Sequence, residues 1–220
     1  MNKARPIITI DGPAASGKGT ISKNIANKFN LYNLETGLFY RVLGKEFLKY
    51  DENIKINNFL SYLSKVNFNL DERKKKEIYT EEVAEKASKL AKLIEVRKFV
   101  LIKQLKIIKD YSKIYKGLIL EGRDCGTVIV PKANVKLFLT AKVEERAKRR
   151  YQQLLSNGKS LKYNEVLEDL MLRDKNDISR EHSPLIMARD AIQIDCSSKS
   201  IKETIMIVKK IIFSKLPYFK

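Results

Sequence analysis

Residues 7–20 read IITIDGPAASGKGT: a short apolar run, Ile7 to Asp11, opens into Gly12, four intervening residues and then Gly17-Lys18. This G-x-x-x-x-G-K spacing predicts a phosphate-binding loop, in which backbone N–H groups converge on nucleotide phosphates and the lysine reaches the β and γ oxygens. The residues that follow, ISKNIANKF, carry apolar side chains at helical spacing, so a helix is expected to begin near Gly17. Its macrodipole and its unpaired first N–H groups would add roughly half a positive charge at the same spot. Strand, loop and helix thus all favour an anion there. The residue after Lys18 is Gly19, with Thr20 next, so the hydroxyl expected on Mg2+, directly or through water, is displaced by one position to Thr20.

A length of 220 residues suits one large domain or one domain with an insert, and 44% hydrophobic content suits a globular protein. No stretch approaches the roughly eighteen apolar residues of a membrane helix, and MNKARP lacks the apolar run of a signal peptide, so a cytoplasmic protein with no membrane partner is expected. Cys125 and Cys196 are far apart and outside any C-x-x-C, which argues against a disulfide framework or a zinc site. His182 is the only histidine and has no G-x-S-x-G or comparable context, so nucleophile-histidine catalysis is not indicated.

The formal net charge of +18 and a pI near 9.7 would attract any polyphosphate. The basic runs Arg73-Lys74-Lys75-Lys76 and Lys148-Arg149-Arg150 lack interleaved aromatics, and no DNA- or RNA-binding signature is present. They read as solvated faces, and no specific nucleic-acid partner is expected.

Apolar strand-like runs alternate with amphipathic helical stretches, the pattern of a parallel sheet covered on both faces. Five strands are expected, at 7–11, 31–35, 117–121, 135–140 and 191–195. About eighty residues separate the second from the third, beginning with a helix from Thr36 and ending with one to about Ser112, far longer than an ordinary crossover. The expected organisation is therefore a core of 1–35 and 113–220 with an inserted subdomain at 36–112. The break Ser156-Asn157-Gly158-Lys159 lies between two helical stretches and suits the hinge of a short lid at about 151–165. A C-terminal helix from Ser200 to about Ser214 spaces Ile201, Ile205, Val208 and Ile212 for core packing.

Open α/β sheets bind ligands beyond the carboxyl ends of their strands. The phosphate loop follows the first strand there, Glu35-Thr36-Gly37-Leu38-Phe39-Tyr40-Arg41 follows the second, and Gly122-Arg123-Asp124 follows the third. Arginine suits a phosphate because its planar fork donates two parallel hydrogen bonds to one anion, which singles out Arg41, Arg123 and, further on, Arg180.

Several segments, in order along nearly the whole chain, resemble the bacterial cytidylate kinases, a family of nucleoside monophosphate kinases of the P-loop type. The GKGT ending of the loop has the form associated with nucleoside monophosphate kinases, and ETGLFYR resembles that family's D-[ST]-G-x-x-Y-R segment. GRDCGTVIVPKANVKLFLTA resembles its G-R-D-x-G-T-V-x-x-P stretch, ERAKRR the helix leading into the lid, and RDKNDISREHSPL its R-D-x-x-D-x-x-R-x-x-x-P-L segment. Three features depart from the pattern. Glu35 stands for an aspartate and Glu121 precedes GRD. The insert between Phe68 and Glu81 is shorter, with charged NLDERKKKEIYT where alternating apolar residues would build a small antiparallel sheet.

The resemblance implies ATP-dependent phosphorylation of CMP and dCMP to CDP and dCDP, with Mg2+ as the cofactor, by a chain expected to be monomeric. It places ATP on Gly12, Pro13, Ala14, Ala15, Ser16, Gly17, Lys18, Gly19 and Thr20, with Arg146 and Arg149 as lid arginines closing on the donor phosphates. It places CMP on Thr36, Tyr40, Arg41, Ser88, Arg97, Arg123, Asp124, Arg173, Asp177 and Arg180. Of these, Ser88, Arg97 and Asp124 would surround cytosine, Arg41, Arg123 and Arg180 would hold the acceptor phosphate, and Arg173 and Asp177 would reach the sugar. Lys18, Arg123, Arg149 and Arg180 would be the catalytic side chains. A carboxylate accepts from the exocyclic amine of cytosine, where uracil would present an oxygen. A phosphate monoester has a second pKa of about 6, so the acceptor oxygen is largely ionised at neutral pH and no general base is required.

Overall fold

The computed structural model describes residues 5–50, 56–63, 66, 68, 77–156, 158 and 160–217. The basic run Arg73 to Lys76, residues 69–76 of the charged stretch, and Asn157 and Lys159 of the helix break lie outside the described residues. The chain divides into two compact units, residues 1–34 with 110–220 and residues 35–109.

The larger unit is built on a five-stranded sheet of β1 (Ile7–Asp11), β2 (Tyr32–Glu35), β3 (Leu118–Gly122), β4 (Val135–Thr140) and β5 (Ile192–Asp195), in the order β2-β3-β1-β4-β5 with all strands parallel. β1 is buried along nearly its whole length, as a parallel strand covered on both faces should be, which is why its sequence is a continuous apolar run. Asp11 is in register with Gly122 on β3 and with Phe138 on β4, so the loop after β1 leaves the sheet beside the end of β3. The helices are α1 (Lys18–Phe29), α2 (Thr36–Phe47), α3 (Ile56–Leu63), α4 (Glu81–Leu90), α5 (Ile94–Tyr111), α6 (Val143–Ser156), α7 (Tyr163–Ser179) and α8 (Ile201–Lys215), with one π turn at Cys125–Ile129.

Ile21 and Ile25 of α1 and Val208 and Ile212 of α8 cover Ile8, Ile10, Ile119, Leu137 and Ile194 from the sheet. α8 starts with a reciprocal cap that its sequence announces as Ser200-x-x-Glu203. Glu203 N–H donates to Ser200 Oγ and Ser200 N–H to Glu203 Oε2. Ile201, expected in the core, is 52% exposed, because it occupies the first turn and faces away from the sheet. α6 and α7 share a second apolar cluster of Ala147, Leu154, Val166 and Leu170 with Ala14 of the phosphate loop.

Three strand starts fall one residue later than the apolar runs suggest. Leu31 N–H bonds to Ala26 O and closes α1, so β2 begins at Tyr32; Ala191 N–H bonds to Ala188 O in a turn, so β5 begins at Ile192. β3 runs on through Gly122 because that residue pairs with Asp11.

In the smaller unit Phe39, Leu43, Phe59, Leu63, Val83, Ala87, Val96 and Val100 are buried, with Phe47 and Phe59 in an edge-to-face pair at 5.0 Å. Between residues 36 and 117 the described residues contain no strand. No helix is long and apolar enough to cross a membrane among the described residues.

Candidate active site

The phosphate loop begins where β1 ends, and two backbone constraints require its glycines. Gly12 has φ +148°, and a Cβ there would stand 2.1 Å from Leu139 O on β4. Gly17 has φ +91° at the cap of α1, a left-handed conformation that glycine adopts without steric cost. Gly17, the N-cap of α1, has no side chain to cap the first N–H groups of the helix. Ala15 also has positive φ, 56°, which is unfavourable for a residue with a Cβ and persists where neighbours hold it.

Lys18 is the first residue of α1 and is buried. Its Nζ donates to Pro13 O at 2.6 Å and to Ser16 Oγ at 3.3 Å, which folds the side chain back over its own loop. Burial, reinforced by the positive charge of Arg123, pushes its pKa down to about 7, against the pull of Glu121, Asp11 and Asp177. Thr20 is exposed in the first turn of α1, with its carbonyl accepting from Asn24 Nδ2. Gly19 is exposed beside the Glu121 carboxylate.

The turn after β3 carries Arg123 and Asp124. Arg123 Nε donates to Asp177 Oδ2 at 2.7 Å and Nη1 to Gly122 O at 3.3 Å. Arg180 Nη1 reaches the other oxygen of the same carboxylate, Asp177 Oδ1, at 3.4 Å, and its Nε donates to Ser183 O. Burial opposes charge on both Arg123 and Asp177. Their mutual attraction prevails, so the guanidinium pKa is raised and the carboxyl is held below the usual carboxylate range, helped by Arg180 and by Arg173 one turn earlier on α7. Asp124 is nearly buried at the head of the π turn, where its carbonyl accepts from Val128 and Ile129 N–H.

Arg146 and Arg149 lie on α6. Arg146 is buried on Ala14 O, Ala141 O and Asp174, and Arg149 Nη2 donates to Cys196 O at 2.5 Å. The structure therefore brings Lys18, Arg123, Asp177 and Arg180 into one electrostatic neighbourhood and places Arg146 against the loop backbone.

The remaining residues singled out from the sequence belong to the smaller unit. Thr36, the first residue of α2, is buried, and its carbonyl accepts from Gln104 Nε2 at 3.3 Å. The Arg97 guanidinium lies 5.6 Å from the centre of the Tyr40 ring, and its Nε donates to Ala91 O at 2.8 Å. Arg41 Nη1 donates to Ile78 O at 3.0 Å while its guanidinium lies 4.7 Å from the Tyr79 ring centre, and Tyr79 in turn donates to Glu35. Ser88 is half-buried on α4.

Two acids that sequence reading passed over join this neighbourhood of charges. Asp11 accepts Cys125 N–H at 2.9 Å on one oxygen and Gly126 N–H at 2.8 Å on the other, tying the end of β1 to the turn that carries Arg123 and Asp124. Burial raises its pKa, opposed by those two N–H bonds. Asp174 pairs with Arg146 at 2.6 Å. The available signals were an acid closing an apolar strand just before Gly12, and a second acid three residues before Asp177 on one helical face.

The family model described as cytidylate kinase matches residues 8–214. A protein named cytidylate kinase from Thermosipho melanesiensis is 41% identical over 215 residues, covering 94% of this chain and 97% of that protein. Another so named, from Bartonella quintana, is 40% identical over 204 residues, covering 91% of each. Among solved structures, TT1252 from Thermus thermophilus superimposes with a TM-score of 0.54 at 17% identity, covering 97% of this chain and 99% of that one, a likeness of fold. A model match over nearly the whole sequence, with relatives about 40% identical end to end, establishes that this chain belongs to the cytidylate kinase family.

Proposed function

We propose that this chain transfers the γ-phosphoryl group of ATP to CMP and dCMP, giving CDP and dCDP. The observation that carries the reading is that Lys18, buried in the glycine-bounded loop, and Arg123, half-buried in the turn after the neighbouring strand, bring two positive charges together at the ends of adjacent strands, close enough for Arg123 to disfavour charge on Lys18. The penalty on charge at Lys18 is relieved by a transferring phosphoryl group, whose charge sits on its equatorial oxygens.

Donor phosphates lie on the Gly12 to Thr20 backbone with Lys18 on the β and γ oxygens, and Arg149 acts from the donor side. Arg41, Arg123 and Arg180 hold the acceptor phosphate, Arg173 and Asp177 serve the sugar, and Ser88, Arg97 and Asp124 serve cytosine, with Thr36 and Tyr40 completing the acceptor contacts. No side chain need remove a proton, because the acceptor oxygen is already ionised at neutral pH. Catalysis is then alignment plus neutralisation by fixed cations.

Mg2+ fits the residues present: Thr20 is exposed beside the loop, leaving its hydroxyl open to a hard cation directly or through water, and the ion would neutralise donor oxygens. The reading takes the chain to act as a monomer, and use of ATP supports a cytoplasmic setting.

Incubation with γ-labelled ATP and CMP tests the reading. It requires the label to appear in CDP; label found only in inorganic phosphate, or none transferred, would refute it.

A further inference from the structure

The Arg146 guanidinium binds three acceptors on three elements. Nε donates to Ala141 O at 2.9 Å beyond β4, Nη1 to Ala14 O at 3.2 Å in the phosphate loop, and Nη2 meets Asp174 Oδ2 at 2.6 Å on α7. Resting on the reading of that loop as the donor-phosphate site, we infer that Arg146 and Asp174 are positioning residues: they set the loop's backbone by gripping the Ala14 carbonyl, and Arg146 does not itself bind the donor.

The peptide bond supplies the mechanism. In a planar trans peptide the carbonyl of one residue and the N–H of the next point in opposite directions, so fixing Ala14 O also fixes the direction of Ala15 N–H. That N–H is one of the loop donors expected to face phosphate. Ala15 itself has φ 56°, a conformation a residue with a Cβ abandons unless it is held. Arg146 grips the carbonyl immediately before it. The Ala14 side chain is anchored independently in the cluster of Ala147, Leu154, Val166 and Leu170.

The guanidinium is not placed to bind a nucleotide. Its side chain is 6% exposed, and a phosphate could reach it only by displacing Asp174 or the Ala14 carbonyl. Asp174 cannot attract a phosphate at all, yet it is 15% exposed, and its Oδ1 is buried with no hydrogen-bond partner among the described residues. The carboxylate bonds this guanidinium at 2.6 Å and so orients it, while on Arg123 it acts only through its charge. The planar fork explains why the residue is arginine, since an ammonium is a point charge on a flexible stem and does not present a fixed fan of donors to three separated acceptors. Asp174 also lies one turn before Asp177, so a single stretch of α7 supports the donor loop through Arg146 and the acceptor arginines through Asp177.

The test is equilibrium binding of ADP and of CMP to the full chain by calorimetry, for wild type, Asp174→Asn, Arg146→Lys and the double variant, with thermal melts alongside. The inference predicts that each single variant loses about tenfold or more in ADP affinity, while CMP affinity stays within about twofold. It further predicts that the double variant is no worse than the weaker single one, because both act through one contact. If Arg146 bound the donor directly, Asp174→Asn would free it and ADP affinity would hold or rise; that result overturns the inference, as does an equal loss of ADP and CMP. Asp174→Asn is nearly isosteric, so its sign alone decides if Arg146→Lys does not fold. Wild type that fails to bind ADP would overturn the reading of the loop and the inference with it, whereas wild-type binding with unmoved variants overturns the inference alone.

Discussion

Arg123 Nε and Asp177 Oδ2 lie 2.7 Å apart, and this one ion pair ties the turn after β3 to α7. Asp177 balances Arg123 and Arg180 together, so its loss leaves two guanidinium groups in a largely buried setting without their shared counter-ion. Asp177→Ala should destabilise the fold by about 3 kcal/mol, read as a lowered unfolding midpoint in denaturant. The Asp177 carboxyl has a folded pKa below its ordinary value of 3.8, so the stability it contributes is present above about pH 4 and is lost as pH falls through the depressed value. Wild type should therefore lose stability on acidification below about pH 4, and Asp177→Asn should lack that part of the acid limb. An unchanged acid limb in the variant would count against the pair.

Lys18 has the opposite consequence for stability. Its pKa is about 7 in the folded protein against an ordinary 10.5, so between those values the unfolded chain binds the extra proton and stability from this group rises with pH. Lys18→Met should raise the melting temperature of the ligand-free protein at pH 7 and flatten the rise from pH 7 to pH 9. The same change should cut phosphoryl transfer by about 100-fold or more while leaving CMP binding nearly intact. Near-normal turnover would remove Lys18 from the donor site.

The proposed reading puts Arg180, with its neighbour Arg123, on the acceptor phosphate. Arg180→Ala should then weaken CMP by about 1.5 to 3 kcal/mol and cytidine far less, measured by equilibrium titration of both ligands. Equal losses would place Arg180 elsewhere.

In the proposed reading, base recognition turns on Asp124. An ionised carboxylate only accepts hydrogen bonds, so it favours the amine of cytosine and repels the oxygen that uracil puts in its place, whereas asparagine can also donate. Asp124→Asn should lower kcat/KM for CMP and narrow its lead over UMP. A constant ratio with both values reduced would mean that Asp124 orients a neighbour and does not read the base.

Much of the core was legible because parallel strands buried on both faces leave continuous apolar runs, as IITID and VKLFLT do, and because the loop glycines are fixed by backbone geometry that leaves a spacing in the sequence. Element edges were less legible: whether Leu31 or Ala191 joins a strand depends on where its N–H finds an acceptor, and both find a turn carbonyl. Ile201 has helical spacing with Val208 and Ile212, yet the first turn of α8 carries it off the sheet. For the candidate site, the sequence offered residue types and not their pairings. Nothing in ERAKRR says that Arg146 lies on the Ala14 carbonyl 132 positions away, nor in IDG that Asp11 receives two N–H groups from the π turn. Those facts exist only once the sheet has brought the ends of β1, β3 and β4 together.

The central claim is that the acceptor is a cytidine monophosphate. The most direct measurement is the initial rate of ADP release, by a coupled assay with ATP and Mg2+, for CMP, dCMP, UMP, AMP and GMP in turn. The account predicts that CMP and dCMP are turned over well ahead of the other three. Equal or faster turnover of UMP, AMP or GMP, or ADP release that no added monophosphate stimulates, would contradict it.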